Sequence, residues 1–280
     1  MQTFVVTKFL TLWTTITKMM YVRPKKALGQ HFLRDLDVAQ RIADSIVTEN
    51  NTANFVLEVG PGTGVLTQFL LQNEKINLTA IELDKESVSY LKINYPTLNL
   101  IQGDFLKINL QSIFGDNQFC VIGNYPYNIS SQIFFKVLEY RNQIPLCSGM
   151  IQKEVAERIA SKQGKKQYGI LSVLLQAYYD IEYLFTVDEN VFNPPPKVKS
   201  AVVRLTRNNR EKLNCDEQLF KEVVKTSFNQ RRKQMRNSLQ NIVGKDNPLI
   251  NDPVFTKRPE QLSVEEFEKL TNLISNSLNN

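Results

Sequence analysis

Histidine is almost missing from this 280-residue chain, in which His31 is the only one. Zinc chemistry by clustered imidazoles is thereby excluded, and so is a Ser-His-Asp triad anywhere away from that residue. Cysteine is scarce as well. Cys120, Cys147 and Cys215 are odd in number and widely spaced, which gives neither a disulfide framework nor a metal site. No apolar run reaches the roughly 18 residues needed to cross a bilayer, so no membrane partner is expected. What is present is ordinary for a folded chain: 42% hydrophobic and 22% charged residues, with length for one large or two modest domains. A net charge of +6 suits an anionic partner.

The chain is organised around Asn124-Tyr125-Pro126-Tyr127, which closes the apolar run Phe119–Gly123. An apolar run that stops abruptly at Asn-x-Pro-Tyr reads as a buried strand opening into a rigid loop. Strand ends in open α/β sheets are where ligands bind. The four residues suit alkylation of an exocyclic amine on a nucleobase, a poor nucleophile because its lone pair is delocalised into the ring. The carboxamide oxygen of Asn124 and the backbone carbonyl of Tyr125 can each accept one N–H bond and favour a tetrahedral nitrogen. Pro126 would fix that carbonyl, and Tyr127 could stack on a base taken out of its helix. A plain turn with an Asn cap and a core Tyr fits the same four residues.

Upstream, residues 1–20 (MQTFVVTKFLTLWTTITKMM) are apolar and Thr-rich, with Met19 and Met20 just before Arg23-Pro24-Lys25-Lys26. They read as an N-terminal extension, either a frayed tail or an over-extended start. ALGQHFLRD then leads from a glycine-containing loop into a helix of about 14 residues, with Val38, Ile42 and Ile46 on one face. His31 in that loop suits a ligand-facing role or a structural one. Phe55–Val59 reads as a strand, followed by Gly60-Pro61-Gly62-Thr63-Gly64 and a helical pattern. Such a strand–glycine turn–helix unit forms a nucleoside-binding loop. No Gly-Lys-Ser/Thr follows, which excludes a phosphate-gripping P-loop. Leu78–Glu82 is a second strand whose terminal carboxylate is placed to accept both hydroxyls of a ribose. A third, Leu98–Gln102, ends in Gly103-Asp104, where a carboxylate can accept from an adenine amine. Each acidic residue alone is explained by helix capping. Four successive strand ends carrying glycines, Glu, Asp and Asn-x-Pro-Tyr are not.

Further on, Lys153 and Arg158 begin a helix and are available to phosphate. Asp180–Val187 and Ser200–Thr206 alternate as strands expected to pair at a sheet edge. Between them, Pro194-Pro195-Pro196 predicts a stiff connector presenting Phe192 either to a base or to the core. Composition turns polar after Arg207, placing a boundary between a domain at 21–207 and a helical one at 208–280. In Lys221–Gln240, Val224, Phe228, Met235 and Leu239 share one helical face. Lys221, Lys225, Arg232 and Arg236 line another, and Arg231-Arg232-Lys233 adds to a phosphate-binding stripe or a solvated face.

From Lys25 to about Leu239 the sequence resembles the ribosomal RNA adenine dimethylase family, in particular its KsgA-type small-subunit adenine N6,N6-dimethyltransferases. The match is carried by ALGQHFL, EVGPGTG, IELD, GDFL and the catalytic loop, where Tyr125 replaces the family's Leu or Ile. The resemblance implies an α/β fold, a Rossmann-like methyltransferase domain with a smaller all-helical C-terminal domain. It implies S-adenosyl-L-methionine as cofactor, held by His31, Leu33, Gly60, Gly62, Glu82, Asp104 and Asn124. It places Phe192 beside the target base. It implies dimethylation of two adjacent adenosines in the 3′-terminal hairpin of 16S rRNA within the assembling small subunit, by a cytoplasmic monomer without a metal. A methylase of large-subunit rRNA or DNA, or a non-catalytic binding protein of the same ancestry, remains open on sequence alone.

Overall fold

A computed structural model describes residues 22–47 and 54–278. The expectations for residues 1–20 lie outside this range. Among the described residues nine strands are formed, and seven of them make one sheet. β1 is Phe32–Leu33, β2 Phe55–Val59, β3 Asn77–Glu82, β4 Asn99–Gln102 and β5 Phe119–Asn124. β6 is Leu146–Gln152, β7 Tyr179–Val187, β8 Phe192–Asn193 and β9 Ser200–Arg207. The seven-stranded sheet has the order β4-β3-β2-β5-β6-β9-β7. Its β4-β3-β2-β5-β6 part is parallel throughout, and β7 and β9 lie together at one edge, as their alternation predicts. Parallel strands covered on both faces read as unbroken apolar runs. That is why Val56, Leu57, Cys120, Val121 and Ile122 are buried to within 1%.

Helices connect these strands. α1 is Leu36–Asp44, α2 Thr67–Leu70, α3 Lys85–Asn94, α4 Gln111–Phe114 and α5 Ser130–Glu139. α1 is shorter than the expected 14 residues. The Ser45 hydroxyl donates back to the Ile42 carbonyl and meets the Ser148 hydroxyl, so the chain leaves the helix at Ser45 while Ile46 still enters the core. Asp35 and Asp84 begin α1 and α3 as N-caps, accepting from Val38 N and Glu86 N.

The chain divides into two compact units, one holding residues up to Gln152 with Leu184–Arg204, the other Lys153–Tyr183 with Leu205 onward. A single cut after Arg207 and this division nearly agree on where the last stretch begins. They differ over 153–183, which carries α6 (Lys153–Ile159) and α7 (Ile170–Gln176). The second unit also holds α8 (Glu217–Asn229), α9 (Met235–Ser238), α10 (Gln240–Val243) and α11 (Val264–Leu278). Its core includes Tyr168, Phe228 and Phe267 in ring contact at 6.1 and 6.0 Å. The continuous helix expected over 221–240 is interrupted. α8 stops at Asn229, a turn closes through Lys233 N–H to the Gln230 carbonyl, and Met235 N–H donates to the Lys257 carbonyl instead of to a helical partner. Val224, Phe228, Met235 and Leu239 are all buried nonetheless.

Candidate active site

In the first unit, β2 hydrogen-bonds to β3 on one side and β5 on the other. Their carboxyl ends therefore flank a topological switch point, where open α/β sheets leave a crevice. The cleft found there is lined by the Gly60–Thr63 loop and by the ends of β3, β4 and β5. It is also lined by the 28–33 segment. Of the sequence-predicted residues, His31, Leu33, Gly60, Gly62, Glu82, Asp104 and the whole of Asn124–Tyr127 are brought together in it.

Gly60 and Gly62 have φ of +69° and +59°, a region that side chains avoid. A Cβ at Gly60 would meet nothing within 4 Å, so the missing atom leaves open space over the loop. At Gly62 it would come 3.0 Å from the Phe32 ring. The Gly62 N–H donates to Glu82 Oε2 at 2.9 Å, and the Asp84 N–H donates to Glu82 Oε1 at 2.8 Å. The carboxylate of Glu82 is thus both a cleft wall and a strut under the glycine loop. Burial raises its pKa, while those backbone donors pull the other way. Asp104 Oδ1 caps its own turn by accepting from Leu106 N–H, 3.0 Å away.

Asn124 is oriented by the opening loop. Its Nδ2 donates to the His31 carbonyl at 3.1 Å. A carbonyl can only accept, so the amide must present its nitrogen there and its oxygen elsewhere. Oδ1 takes no donor among the described residues. Tyr125 turns its side chain away from the cleft into the sheet, 0% exposed, and its hydroxyl donates to the Ser148 carbonyl at 2.8 Å. A Cβ at Gly123 or Gly149 would stand 2.8 or 2.5 Å from that ring. The two glycines therefore give the ring its place, and the substitution of Tyr for Leu or Ile is absorbed below the loop. Tyr127 is fixed at both ends. Its hydroxyl meets the Ser200 hydroxyl, and its ring lies stacked on His31 with centroids 5.4 Å apart and planes 26° apart. His31 in turn bonds through Nδ1 to the Pro194 carbonyl at 2.7 Å.

Phe192 is placed differently from the base-stacking position. It is 2% exposed within the hydrophobic core and sits opposite Leu33 in the β1–β8 pair. It does not line the cleft. The aromatic neighbour of Tyr127 is His31. The Asn193–Pro194 bond that leads into the three prolines is cis.

Three cleft residues among those not singled out from sequence are Glu58, Leu83 and Phe105. Glu58 lines the cleft, 1% exposed, and accepts from the Thr67 hydroxyl at 2.7 Å. Burial pushes its carboxyl up to about 8. A lone charge inside the apolar run Phe55–Val59 was the signal available for it. Leu83 and Phe105, each beside a predicted acidic residue, supply apolar walls. Leu83 is 51% exposed despite its size, so it offers bare surface to a flat ring.

The eight basic residues assigned to RNA all belong to the second unit. Lys221, Lys225, Arg232, Lys233 and Arg236 are exposed. Lys153 and Arg158 are engaged within α6, with Glu157 at 3.8 Å and Glu154 at 2.9 Å. Arg231 donates to the Lys165 carbonyl and stands 3.9 Å from Glu260. No group of three or more metal-ligating side chains occurs among the described residues. No helix of the described residues is long and apolar enough to cross a membrane.

The profile of the family described as "Ribosomal RNA adenine dimethylase" matches residues 22–276, and the cleft lies wholly inside that span. The chain belongs to this family. Among its relatives, the ribosomal RNA small subunit methyltransferase A of Parabacteroides distasonis is 65% identical over 255 residues, 90% of this chain and 94% of that protein. The crystal structure of a dimethyladenosine transferase from Plasmodium falciparum superposes with a TM-score of 0.72 at 24% identity, over 88% of this chain and 98% of that one. The 23S rRNA methyltransferase ErmE superposes at 0.61 and 25% identity, over 86% and 99%. A dimethyladenosine transferase and a 23S rRNA methyltransferase thus share the fold of this chain.

Proposed function

We propose that this chain uses S-adenosyl-L-methionine to dimethylate N6 of two adjacent adenosines in the 3′-terminal hairpin of 16S rRNA, on the assembling small ribosomal subunit, as a cytoplasmic monomer. The observation that carries the reading is the fixed amide of Asn124, held by the His31 carbonyl so that its oxygen is left to accept from an adenine amine. The cleft residues fit the cofactor. Gly60 leaves room over its loop, the Glu82 carboxylate is pre-aimed by two backbone donors for a pair of hydroxyls, and Leu83 and Phe105 flank the position for a base. When bound, the cofactor supplies a methyl group on a positively charged sulfur.

The protein's part is alignment. In the first transfer Asn124 Oδ1 and the Tyr125 carbonyl accept the two N–H bonds of N6, and in the second one of them accepts the single N–H that remains. Each time the lone pair is turned out of the ring plane, a gain realised only as the nitrogen becomes tetrahedral. Tyr127, braced by Ser200 and His31, supplies a stacking face for the extruded base. The N6 proton leaves after the nitrogen has become cationic, so no strong base is required. Holding the two reactants in line supplies most of the acceleration. Lys221, Lys225, Arg232, Lys233 and Arg236 hold rRNA phosphates, and Lys153, Arg158 and Arg231 assist from their ion pairs.

Asn124→Ala tests the reading. It should lower turnover by about 100- to 1,000-fold, the usual cost of one lost transition-state hydrogen bond, while calorimetric titration shows cofactor affinity largely kept. Wild-type turnover in that variant would remove Asn124 from the mechanism.

A further inference from the structure

The loop between α6 and α7, Ala160–Gly169, was not singled out by its sequence, yet the second unit holds it in a defined place. Gly164 N–H donates to the Glu260 carbonyl at 2.7 Å, with Gly164 at φ +81°. The Lys165 carbonyl accepts from Arg231 Nη2 at 3.3 Å and from Tyr168 N–H at 3.2 Å. Tyr168 is itself 1% exposed and packed on Phe228 at the end of α8. The loop is therefore held at its middle by the Glu260 carbonyl, and its Lys165 carbonyl and Tyr168 ring tie it to Arg231 and to Phe228 just before the turn that carries Arg231-Arg232-Lys233.

Lys162, Lys165 and Lys166, all exposed, thus sit on a loop whose Lys165 carbonyl is bonded to Arg231, the sequence neighbour of Arg232 and Lys233. None of these five cations has a carboxylate partner among the described residues. Of the acids near these contacts, Glu260 is faced by Arg231, and Glu265 and Glu266, which lie near Tyr168, are paired with Arg210 and Lys257. Like charges gathered on a fixed backbone without counter-charges repel one another, and a closely spaced polyanion relieves that repulsion. We propose that the Lys162–Lys166 loop and the Arg231–Lys233 turn form one composite site for the phosphodiester backbone of rRNA. The site lies within the second unit, and the loop lysines are RNA contacts in their own right. This rests on the rRNA substrate argued above.

The test is a salt titration of affinity for unmethylated small subunits and for naked small-subunit rRNA. It would compare the wild type, a loop variant (Lys162→Gln, Lys165→Gln, Lys166→Gln) and an equal-charge control (Lys75→Gln, Lys85→Gln, Lys92→Gln). Lys75, Lys85 and Lys92 are exposed residues of the first unit. Each phosphate contact contributes roughly 0.7–0.9 to the slope of log affinity against log salt. The loop variant should therefore lose about two to three units of slope on both RNA ligands, and Lys→Arg at the three positions should restore them. Unchanged cofactor affinity would show the loop variant folded. An unchanged slope, or an equal loss in the control, would overturn the composite site. So would a loss confined to particles with naked rRNA unaffected, which would point to a protein partner. A wild type whose binding to either ligand shows no salt dependence would instead overturn the rRNA reading itself.

Discussion

At the scale of single residues, the site depends on carboxyl and amide groups whose orientation is imposed by backbone. Asn124 is set by the His31 carbonyl and Glu82 by the N–H groups of Gly62 and Asp84. Glu58 is the residue with a distinct signature in solution. Its pKa is raised from 4.5 to about 8 by burial, so the folded chain retains a proton that the unfolded chain releases near the ordinary value. The stability it contributes is complete below that ordinary value. It is lost as pH climbs towards and through about 8, because over this interval the folded state binds more protons. Glu58→Gln cannot ionise and should remove that decline. The variant's melting temperature relative to wild type should thus rise steadily across the interval. Parallel curves would show that Glu58 is already ionised in the folded chain.

At the scale of elements, the Asn124–Tyr127 loop is held from beneath. Tyr125 lies across Gly123 of β5 and Gly149 of β6, and its hydroxyl reaches the Ser148 carbonyl. Tyr125→Phe should destabilise the fold by about 1 kcal/mol, the net worth of one buried hydrogen bond, as read from denaturant midpoints. Gly149→Ala should cost about 2–3 kcal/mol, at the upper end for overpacking. Tyr125→Leu should not rescue it, because the new Cβ would still stand 2.5 Å from the Gly123 carbonyl. Full rescue would mean that the ring alone sets the spacing. The strands of the first unit were legible because buried parallel strands are apolar runs, and β2, β3, β4 and β5 lead into the cleft residues Gly60, Glu82, Asp104 and Asn124. Phe192 was not, since an aromatic beside prolines suits a stack or a core equally, and only its register opposite Leu33 decides. The break in 221–240 was hidden as well. It comes from a long-range bond, Met235 N–H to the Lys257 carbonyl, which local periodicity does not contain.

At the scale of the whole molecule, both units carry exposed cations. The cleft of the first unit presents oriented carboxylates and an amide, and the second unit exposes Lys221, Lys225, Arg232, Lys233 and Arg236. Arg232→Ala with Arg236→Ala should weaken binding to small subunits and lower its salt slope by about one to two units, near 0.7–0.9 per phosphate released. An unchanged slope would return those arginines to a solvated surface. Composition announced the helical character of the last stretch. It could not show that residues 153–183 pack with it, because an association such as Tyr168 of the α6–α7 loop against Phe228 of α8 is a tertiary fact.

The central claim is methyl transfer to adenine N6 of the small subunit. It is tested most directly by incubating the protein with isotopically labelled S-adenosyl-L-methionine and unmethylated small subunits, with large subunits and duplex DNA in parallel, and identifying the product nucleoside by mass. The account predicts N6,N6-dimethyladenosine on small subunits alone. Label on large subunits or DNA, or cofactor binding with no label anywhere, would contradict it.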